Sequence, residues 1–200
     1  MSYNRFGGVC GILLGVGSLL YAVFFLVLGR QAGDFGKTGS WVILAINGLL
    51  ATAAYVALYE RTSQAGDGFS LWGLLLGFAQ GLAMMANGVY QAVFGRQATG
   101  DPLARGIPSW ADPKGLGTFL LFGIASFVFA RIFLSTGVLS RRLGYLGLLN
   151  GVLLVVLFFA NVFDSLPVIL VAGGLTSLVL TPVWWILIGR ELMRGGRLLR

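Results

Sequence analysis

The 200-residue sequence contains no histidine and only one cysteine. Histidine is the commonest general base and the commonest ligand of haem, zinc and copper, so its absence excludes the usual centres for those groups. The single thiol, Cys10, has no second cysteine with which to form an intrachain disulfide or a CxxC pair. Walker A, G-x-S-x-G and H-E-x-x-H motifs are also missing from the sequence. The sequence therefore predicts a protein that is not an enzyme and that has no metal site and no cofactor.

Charged residues make up only 10% of the chain, whereas a soluble domain would carry about a quarter. Most of the sequence consists of apolar runs, each near or above the roughly 20 residues that a helix needs to cross a bilayer. Because these runs are continuous rather than alternating, they predict helices and not the strands of a barrel. We expect an all-α integral membrane bundle of six transmembrane helices that forms a single domain over residues 1–200. The six runs are Phe6–Leu28, Trp41–Tyr59, Phe69–Phe94, Gly115–Thr136, Leu143–Phe163 and Pro167–Gly189.

Basic residues are unevenly distributed between the two sides of such a bundle. Six spans place both termini on one side, which also carries Arg61, the pair Arg141 and Arg142, and an arginine-rich tail. The positive-inside rule therefore predicts that both termini are cytoplasmic. The net charge of +7 then favours contact with anionic membrane lipids. We expect no nucleic-acid partner, because no basic fold lies outside the membrane.

The first and third runs share a pattern that indicates an internal repeat. A gapless alignment of residues 7–32 with residues 73–98 superimposes three glycines of each run and the sequence GRQA that follows them. The fifth run carries a looser version of the same pattern. We therefore expect three helical hairpins in one orientation, as in some transporters or after plain duplication of a hairpin.

Glycines at every fourth position give three of the helices a face of small residues. On the first span these residues fall within roughly an 80° arc, which lets another backbone approach closely. Such a face serves tight packing inside the monomer, self-association, or contact with another protein or a flat ligand. The candidate packing residues are Gly7, Gly11, Gly15, Gly73, Gly77, Gly81, Gly147 and Gly151.

The third span is also the most polar one. Gln80, Asn87 and Gln91 fall within roughly a 40° arc, and we expect this face to point inward because amides in hydrocarbon would lack partners. The amides serve either as hydrogen-bonding groups between helices or as the lining of a neutral cavity for a small ligand or lipid headgroup. The candidate cavity residues are Asn47, Gln80, Asn87, Gln91, Asn150 and Asn161.

Two further features lie near the predicted membrane boundaries. Arg131, about two turns before the end of the fourth span, is expected to extend to the interface or to form an ion pair with Glu60. The one long connection, Gly95–Lys114, is a candidate docking surface or a plain surface loop.

The last span contains a proline and two tryptophans. Pro182 removes a helical hydrogen bond and should kink the helix. Trp184 and Trp185 follow it and are expected to mark the cytoplasmic interfacial belt.

Residues 130–152 combine a short basic loop with a glycine-rich helix in the sequence ARIFLSTGVLSRRLGYLGLLNGV. This stretch resembles a pattern of uncharacterised bacterial membrane proteins with six helices, in which a basic loop leads into an LGxLGLxxGV helix. The opening GGVCGILLG (residues 7–15) and the closing PVWWILIGR (residues 182–190) are also similar to the ends of those proteins. The resemblance implies a six-helix fold in a bacterial cytoplasmic (inner) membrane. Since that family has no established activity, the resemblance implies no functional residues.

These features favour a structural or accessory subunit, whose glycine-lined faces and basic side contact a partner membrane protein or a second copy of the chain. The alternative is a small carrier, or a ligand- or lipid-binding protein, with an amide-lined cavity. A third interpretation is a pigment- or quinone-binding subunit, because glycine faces admit flat molecules, although histidine is missing as the usual axial ligand.

Overall fold

A computed structural model describes residues 2–65, 67–94 and 109–194 of the protein. The predicted all-α bundle is confirmed: this part of the chain contains six helices that are long and apolar enough to cross a membrane. The architecture is that of a multi-pass membrane protein. The helices are α1 (Tyr3–Leu28), α2 (Asp34–Thr62), α3 (Asp67–Phe94), α4 (Pro113–Thr136), α5 (Arg141–Val162) and α6 (Leu166–Met193).

The six helices form a closed ring in chain order. Each helix packs against the next one along the chain, and α6 packs against α1 to close the ring. Successive helices run in opposite directions, so the start of α1 and the end of α6 lie at the same end of the bundle. We call this the termini end, which also carries the α2–α3 and α4–α5 turns. The opposite end, called the loop end, carries the α1–α2 and α5–α6 turns and the start of α4.

The half of the bundle toward the termini end is filled by large aromatic side chains. The ring of Tyr55 lies edge-on to Trp185, with centroids 5.1 Å apart, and stacks on Phe129 at 5.8 Å. Trp184 lies against Trp185, again with centroids 5.1 Å apart. These four residues, which we call the aromatic cluster, are all buried and join α2, α4 and α6 across the centre of the ring. Their size makes them major contributors to packing, since each such ring buries roughly 150–250 Å².

The prediction that Trp184 and Trp185 mark an interfacial belt is wrong. Both side chains are buried, at 0% and 1% exposure. The indole N–H of Trp184 donates a hydrogen bond to the Leu143 carbonyl of α5 at 3.1 Å. Because the only donor of that ring is satisfied inside the protein, the side chain needs no contact with interfacial water.

The eight glycines predicted to mediate packing are all buried against other helices of the same chain. A Cβ atom added at Gly11 of α1 would lie 3.3 Å from Gly189 of α6. A Cβ atom at Gly77 of α3 would overlap the Tyr55 ring of α2. Of the interpretations that the sequence leaves open, the structure thus shows tight packing inside the monomer, where small residues let backbones approach.

Equivalent positions of the predicted repeat have equivalent neighbours. Gly15 and Gly81, which the gapless alignment superimposes, and Gly151 of the looser match each approach a carbonyl of the preceding helix in the ring. Added Cβ atoms would lie 2.7, 2.8 and 2.9 Å from the carbonyl oxygens of Pro182, Gly48 and Gly123, respectively. The first helices of the hairpins α1–α2, α3–α4 and α5–α6 therefore share one type of contact with the helix before them.

A left-handed glycine defines a turn at one end of the bundle, and an ion pair stabilises the connections at the other end. At the termini end, α4 stops at Gly137, whose φ of 69° is left-handed and strains any residue with a Cβ. At the loop end, the Lys114 ammonium pairs with the Asp164 carboxylate at 2.6 Å and ties the start of α4 to the α5–α6 turn.

Residues 95–108, the larger part of the predicted Gly95–Lys114 docking loop, lie outside the described residues.

Candidate functional site

A cavity of about 70 Å³ lies inside the ring, and all six helices contribute to its wall. This volume has room for roughly five water molecules. The cavity lies on the loop-end side of the aromatic cluster, because its α1 and α4 residues come from the parts of those helices near the loop end. The lining residues are Ser18, Tyr21, Leu44, Asn47, Met84, Thr118, Phe119, Phe122, Leu154, Thr176, Ser177 and Thr181.

The wall of this central cavity combines neutral polar groups with apolar side chains. Six hydroxyl groups and the Asn47 amide provide the polar part, and none of the described lining residues is acidic or basic. The Asp112 carboxylate lies behind the wall and already accepts three hydrogen bonds, so it would offer a cation little compensation for its lost hydration shell. The composition of the wall therefore suits a neutral molecule.

Three of the lining hydroxyl groups are held by hydrogen bonds, two within a helix and one between helices. Ser18 Oγ donates to the Leu14 carbonyl and Thr176 Oγ1 to the Ala172 carbonyl, both at 2.8 Å and both within one helix. Thr181 Oγ1 donates to Asn150 Oδ1 at 3.0 Å, which joins α6 to α5. These bonds fix the positions of the hydroxyl oxygens at the surface of the cavity.

Asp112 positions the part of the wall that comes from α4. Its carboxylate is only 4% exposed and accepts hydrogen bonds from the backbone N–H groups of Gly117 at 2.6 Å and Thr118 at 3.1 Å, and from the Thr118 hydroxyl. The first N–H groups of a helix have no partner within the helix, and this carboxylate supplies one. The same contacts orient Thr118 at the cavity. The sequence signal was the acidic residue directly before Pro113, a combination typical of helix starts.

Two stretches of the wall belong to π-helical turns. Leu116–Leu121 is π-helical in α4 and Thr176–Leu180 in α6, while a third such turn, Phe24–Leu28, ends α1 at the loop end. Turns of this type are rare and occur frequently at functional sites. In α6 the π-helical turn comes directly before Pro182, whose ring would clash with the carbonyl four residues earlier in a regular α-helix. The π-helical turn contains Thr176 and Ser177 of the cavity wall, and the kink expected at Pro182 stays a prediction.

The predicted amide residues do not meet as one lining. Asn47 of α2 is in the wall, is 2% exposed and forms no hydrogen bond with a described residue. Asn150 lies one layer behind the wall, where it accepts the bond from Thr181. Gln80 Nε2 contacts Met84 Sδ, and Met84 lines the cavity. The buried atoms Gln80 Oε1 and Asn150 Nδ2 have no partner within the described part of the chain.

The remaining three amides take separate positions. Asn87 Oδ1 and Gln91 Oε1 are buried, and no described group donates a hydrogen bond to them. Asn161 Nδ2 donates to the Leu157 carbonyl of its own helix at 2.8 Å, so this bond does not connect two helices. The inward direction expected for the polar face of α3 agrees with the burial of Gln80 and Gln91, at 2% exposure each.

The expected ion pair between Arg131 and Glu60 is not formed. Both residues are exposed, and no ion pair joins them. The Arg131 guanidinium lies instead over the ring of Phe69, with its carbon 4.9 Å from the ring centroid. A cation over an aromatic face gains electrostatic attraction without giving up its contact with water.

The hydroxyl groups of the cavity were missed in the sequence. Serine and threonine in an apolar helix can satisfy their own protons on a carbonyl one turn earlier, so they do not stand out as polar groups that need partners. Ser18 and Thr176 do this. Only the arrangement of the helices around the ring shows that these residues share a space.

Comparison of this chain with protein families, with curated proteins and with solved structures finds no match. Within residues 2–65, 67–94 and 109–194, no group of three or more Cys, Asp or Glu side chains is placed to hold a metal ion.

Proposed function

We propose that this chain is a non-enzymatic membrane protein that binds or carries a small neutral ligand in its central cavity. The observation that carries the proposal is a cavity to which all six helices contribute, with six hydroxyl groups and the buried Asn47 amide in its wall. Polar groups in the wall of a cavity between apolar helices have little contact with bulk water, and a bound ligand or water supplies hydrogen-bond partners for them. Ligand sites in helical bundles commonly lie between facing helices.

The aromatic cluster supports a site with one closed side. Tyr55, Phe129, Trp184 and Trp185 fill the ring toward the termini end, so the ligand enters from the loop end or from between helices. The π-helical turns of α4 and α6 contribute residues to the cavity wall, and turns of this type occur frequently at functional sites.

Filling the cavity tests this proposal. Ser177→Phe places a large ring in the wall, and we expect it to remove a small molecule that co-purifies with the wild-type protein after mild detergent extraction. Leu178→Phe is the matched control, because the next residue of the same helix is exposed on the outer surface. Native mass spectrometry of the purified protein measures occupancy, and chromatography of the extract identifies the molecule. Equal occupancy in both variants, or an empty wild-type protein, would contradict the proposal.

We also propose that the protein lies in a bacterial cytoplasmic membrane with both termini in the cytoplasm. Arginines exposed at the termini end support this orientation under the positive-inside rule, whereas Lys114 at the loop end is paired with Asp164. A reporter that fluoresces only in the cytoplasm, fused after Arg200, should be bright. A dark fusion together with an active periplasmic reporter at the same position would reverse the orientation. The exposed arginines are Arg5, Arg131, Arg141, Arg142, Arg190 and Arg194.

An accessory subunit is the second proposal, and the same exposed arginines favour it. They form a basic surface that suits anionic lipids or an acidic face of a partner membrane protein or of a second copy. The glycine faces are occupied inside the monomer, so such a subunit would dock through this basic surface or through its outer apolar residues. A protein that co-purifies in fixed ratio would support this role.

A further inference from the structure

We propose that the central cavity selects a small neutral molecule that donates hydrogen bonds from two or more hydroxyl groups, such as a polyol or a lipid headgroup of that type. This inference rests on the proposed function, since it names the class of ligand for the same site. It follows from where the protons of the lining hydroxyl groups point.

Hydroxyl groups of Ser18, Thr118 and Thr176 present acceptors to the cavity and not donors. A hydroxyl group has one proton to donate and two lone pairs. Ser18 and Thr176 donate their protons to backbone carbonyls at 2.8 Å, and Thr118 donates to the Asp112 carboxylate. Backbone carbonyl oxygens carry no proton, so Ser18 and Thr176 are the donors in their bonds. Both Asp112 oxygens accept backbone N–H groups, which favours Thr118 as the donor to that side chain. Only the lone pairs of the three lining oxygens are left for a ligand.

A fourth lining hydroxyl adds to this surplus of acceptors. Thr181 donates its proton to Asn150 Oδ1 at 3.0 Å. A molecule that completes these sites must bring O–H or N–H groups of its own.

Three other lining groups retain donors, which limits the ligand further. The Tyr21 and Ser177 hydroxyls and the Asn47 amide form no hydrogen bonds with described residues, so they can donate as well as accept. Alcohol groups match both kinds of site, because each one donates one bond and accepts others. A quinone has hydrogen-bond acceptors only. Its carbonyls could accept from Tyr21, Ser177 and Asn47. At Ser18, Thr118 and Thr176 the quinone would have no proton to donate to the hydroxyl oxygens.

Charge and shape agree with an alcohol. No described lining residue is charged, and the Asp112 carboxylate behind Thr118 already accepts three hydrogen bonds, so it offers an ammonium ion little compensation for its lost hydration. The apolar residues Leu44, Met84, Phe119, Phe122 and Leu154 line the same space and suit the carbon skeleton of the ligand. A polyol of three carbons presents both surfaces.

The test uses the full-length protein in lipid nanodiscs and measures equilibrium binding of radiolabelled glycerol. Duroquinone and 1,2-dimethoxyethane serve as acceptor-only probes. Monooleoylglycerol, added as a competitor, separates a lipid headgroup from a free polyol as the source of the hydroxyl groups. We expect saturable glycerol binding that the acceptor-only probes do not displace.

Two variants connect that binding to the proposed acceptors. Thr176→Val and Ser18→Ala each remove one lining oxygen whose proton is bonded within its own helix, so little other structure depends on it. Each should weaken glycerol binding about fivefold, the effect of one hydrogen bond. Thr52→Val is the matched control, since that hydroxyl donates to the Leu49 carbonyl at 2.7 Å in the same way but lies outside the cavity. It should leave glycerol binding unchanged.

The outcomes separate this inference from the proposed function. Binding of duroquinone or dimethoxyethane that Ser177→Phe abolishes, without glycerol binding, overturns the donor class and leaves a ligand-binding cavity in place. Absence of glycerol binding, while a molecule without hydroxyl groups co-purifies with the wild-type protein and is lost in Ser177→Phe, overturns the donor class alone. Absence of any bound molecule in both experiments contradicts both proposals. Glycerol binding that is equally strong in Thr176→Val, Ser18→Ala and Thr52→Val also overturns the assignment of the acceptors.

Discussion

The two halves of the bundle are built in different ways from similar residues. Toward the termini end, the rings of Tyr55, Phe129, Trp184 and Trp185 meet at the centre, and α4 and α6 are regular α-helices there. Toward the loop end, α1, α4 and α6 contain π-helical turns, and hydroxyl groups surround a cavity. In the first half the glycines make room for aromatic rings, as Gly77 does for Tyr55.

This difference indicates a division of tasks between stability and binding. Close packing of large rings and glycines contributes stability, because dispersion between well-fitted surfaces is the main attraction between helices in lipid. Distorted helices and polar groups without partners reduce stability locally, and they persist where they serve a function. Three substitutions test whether the halves differ in this way.

The largest effect is expected for Gly77→Leu in the packed half. A side chain at this position would overlap the Tyr55 ring, and overpacking of this kind costs roughly 1–3 kcal/mol or more. We expect the midpoint of thermal unfolding in detergent to fall by roughly 10 °C. Gly174→Leu is the control, since an added Cβ at that position of α6 meets no atom within 4 Å. Similar midpoints for the two variants would remove the contrast in packing between the halves.

An intermediate effect is expected for Asp112→Ala in the cavity half. The substitution removes the partner of two backbone N–H groups and of the Thr118 hydroxyl. Loss of such a helix cap costs about 1–2 kcal/mol, so the unfolding midpoint should fall by roughly 3–6 °C. Hydrogen exchange should speed up over residues 113–121 and stay unchanged in the aromatic cluster.

Asp164→Ala provides the comparison at the same end of the bundle. Asp164 belongs to an ion pair in which both side chains are at least half exposed, and such pairs contribute about 0–1 kcal/mol. A loss of stability as large as that of Asp112→Ala would show that the capping bonds are not what holds the start of α4.

The smallest effect, with the opposite sign, is expected for Tyr55→Phe. The ring is central to the aromatic cluster, but its hydroxyl is buried and has no partner among the described residues. Removing that group while keeping the ring should raise the unfolding midpoint by about 1–3 °C. Tyr145→Phe, at an exposed position, should change nothing. A lower midpoint for Tyr55→Phe would place a bound water or another polar partner inside the packed half.

Sequence reasoning could predict the packing glycines and the inward polar face of α3. It could not predict the position of the two tryptophans. Spacing along one helix determines that Gly7, Gly11 and Gly15 share a face. The expectation for Trp184 and Trp185 used only their position near the end of the span. The carbonyl that accepts from Trp184 belongs to Leu143, 41 residues earlier, and no local pattern announces such a bond.

What the sequence determined by itself is the class of structure: six apolar helices, long enough to span a membrane, with small residues every fourth position on alternate helices. Hydropathy and helical period act over about 20 neighbouring residues, so they can be read from the chain directly. The tertiary structure alone decided that Ser18, Asn47, Thr118 and Thr176 surround one cavity while Asn161 bonds within its own helix. The physical reason is that a cavity depends on how six separate helices rotate about their axes, and that rotation follows from packing across the whole ring.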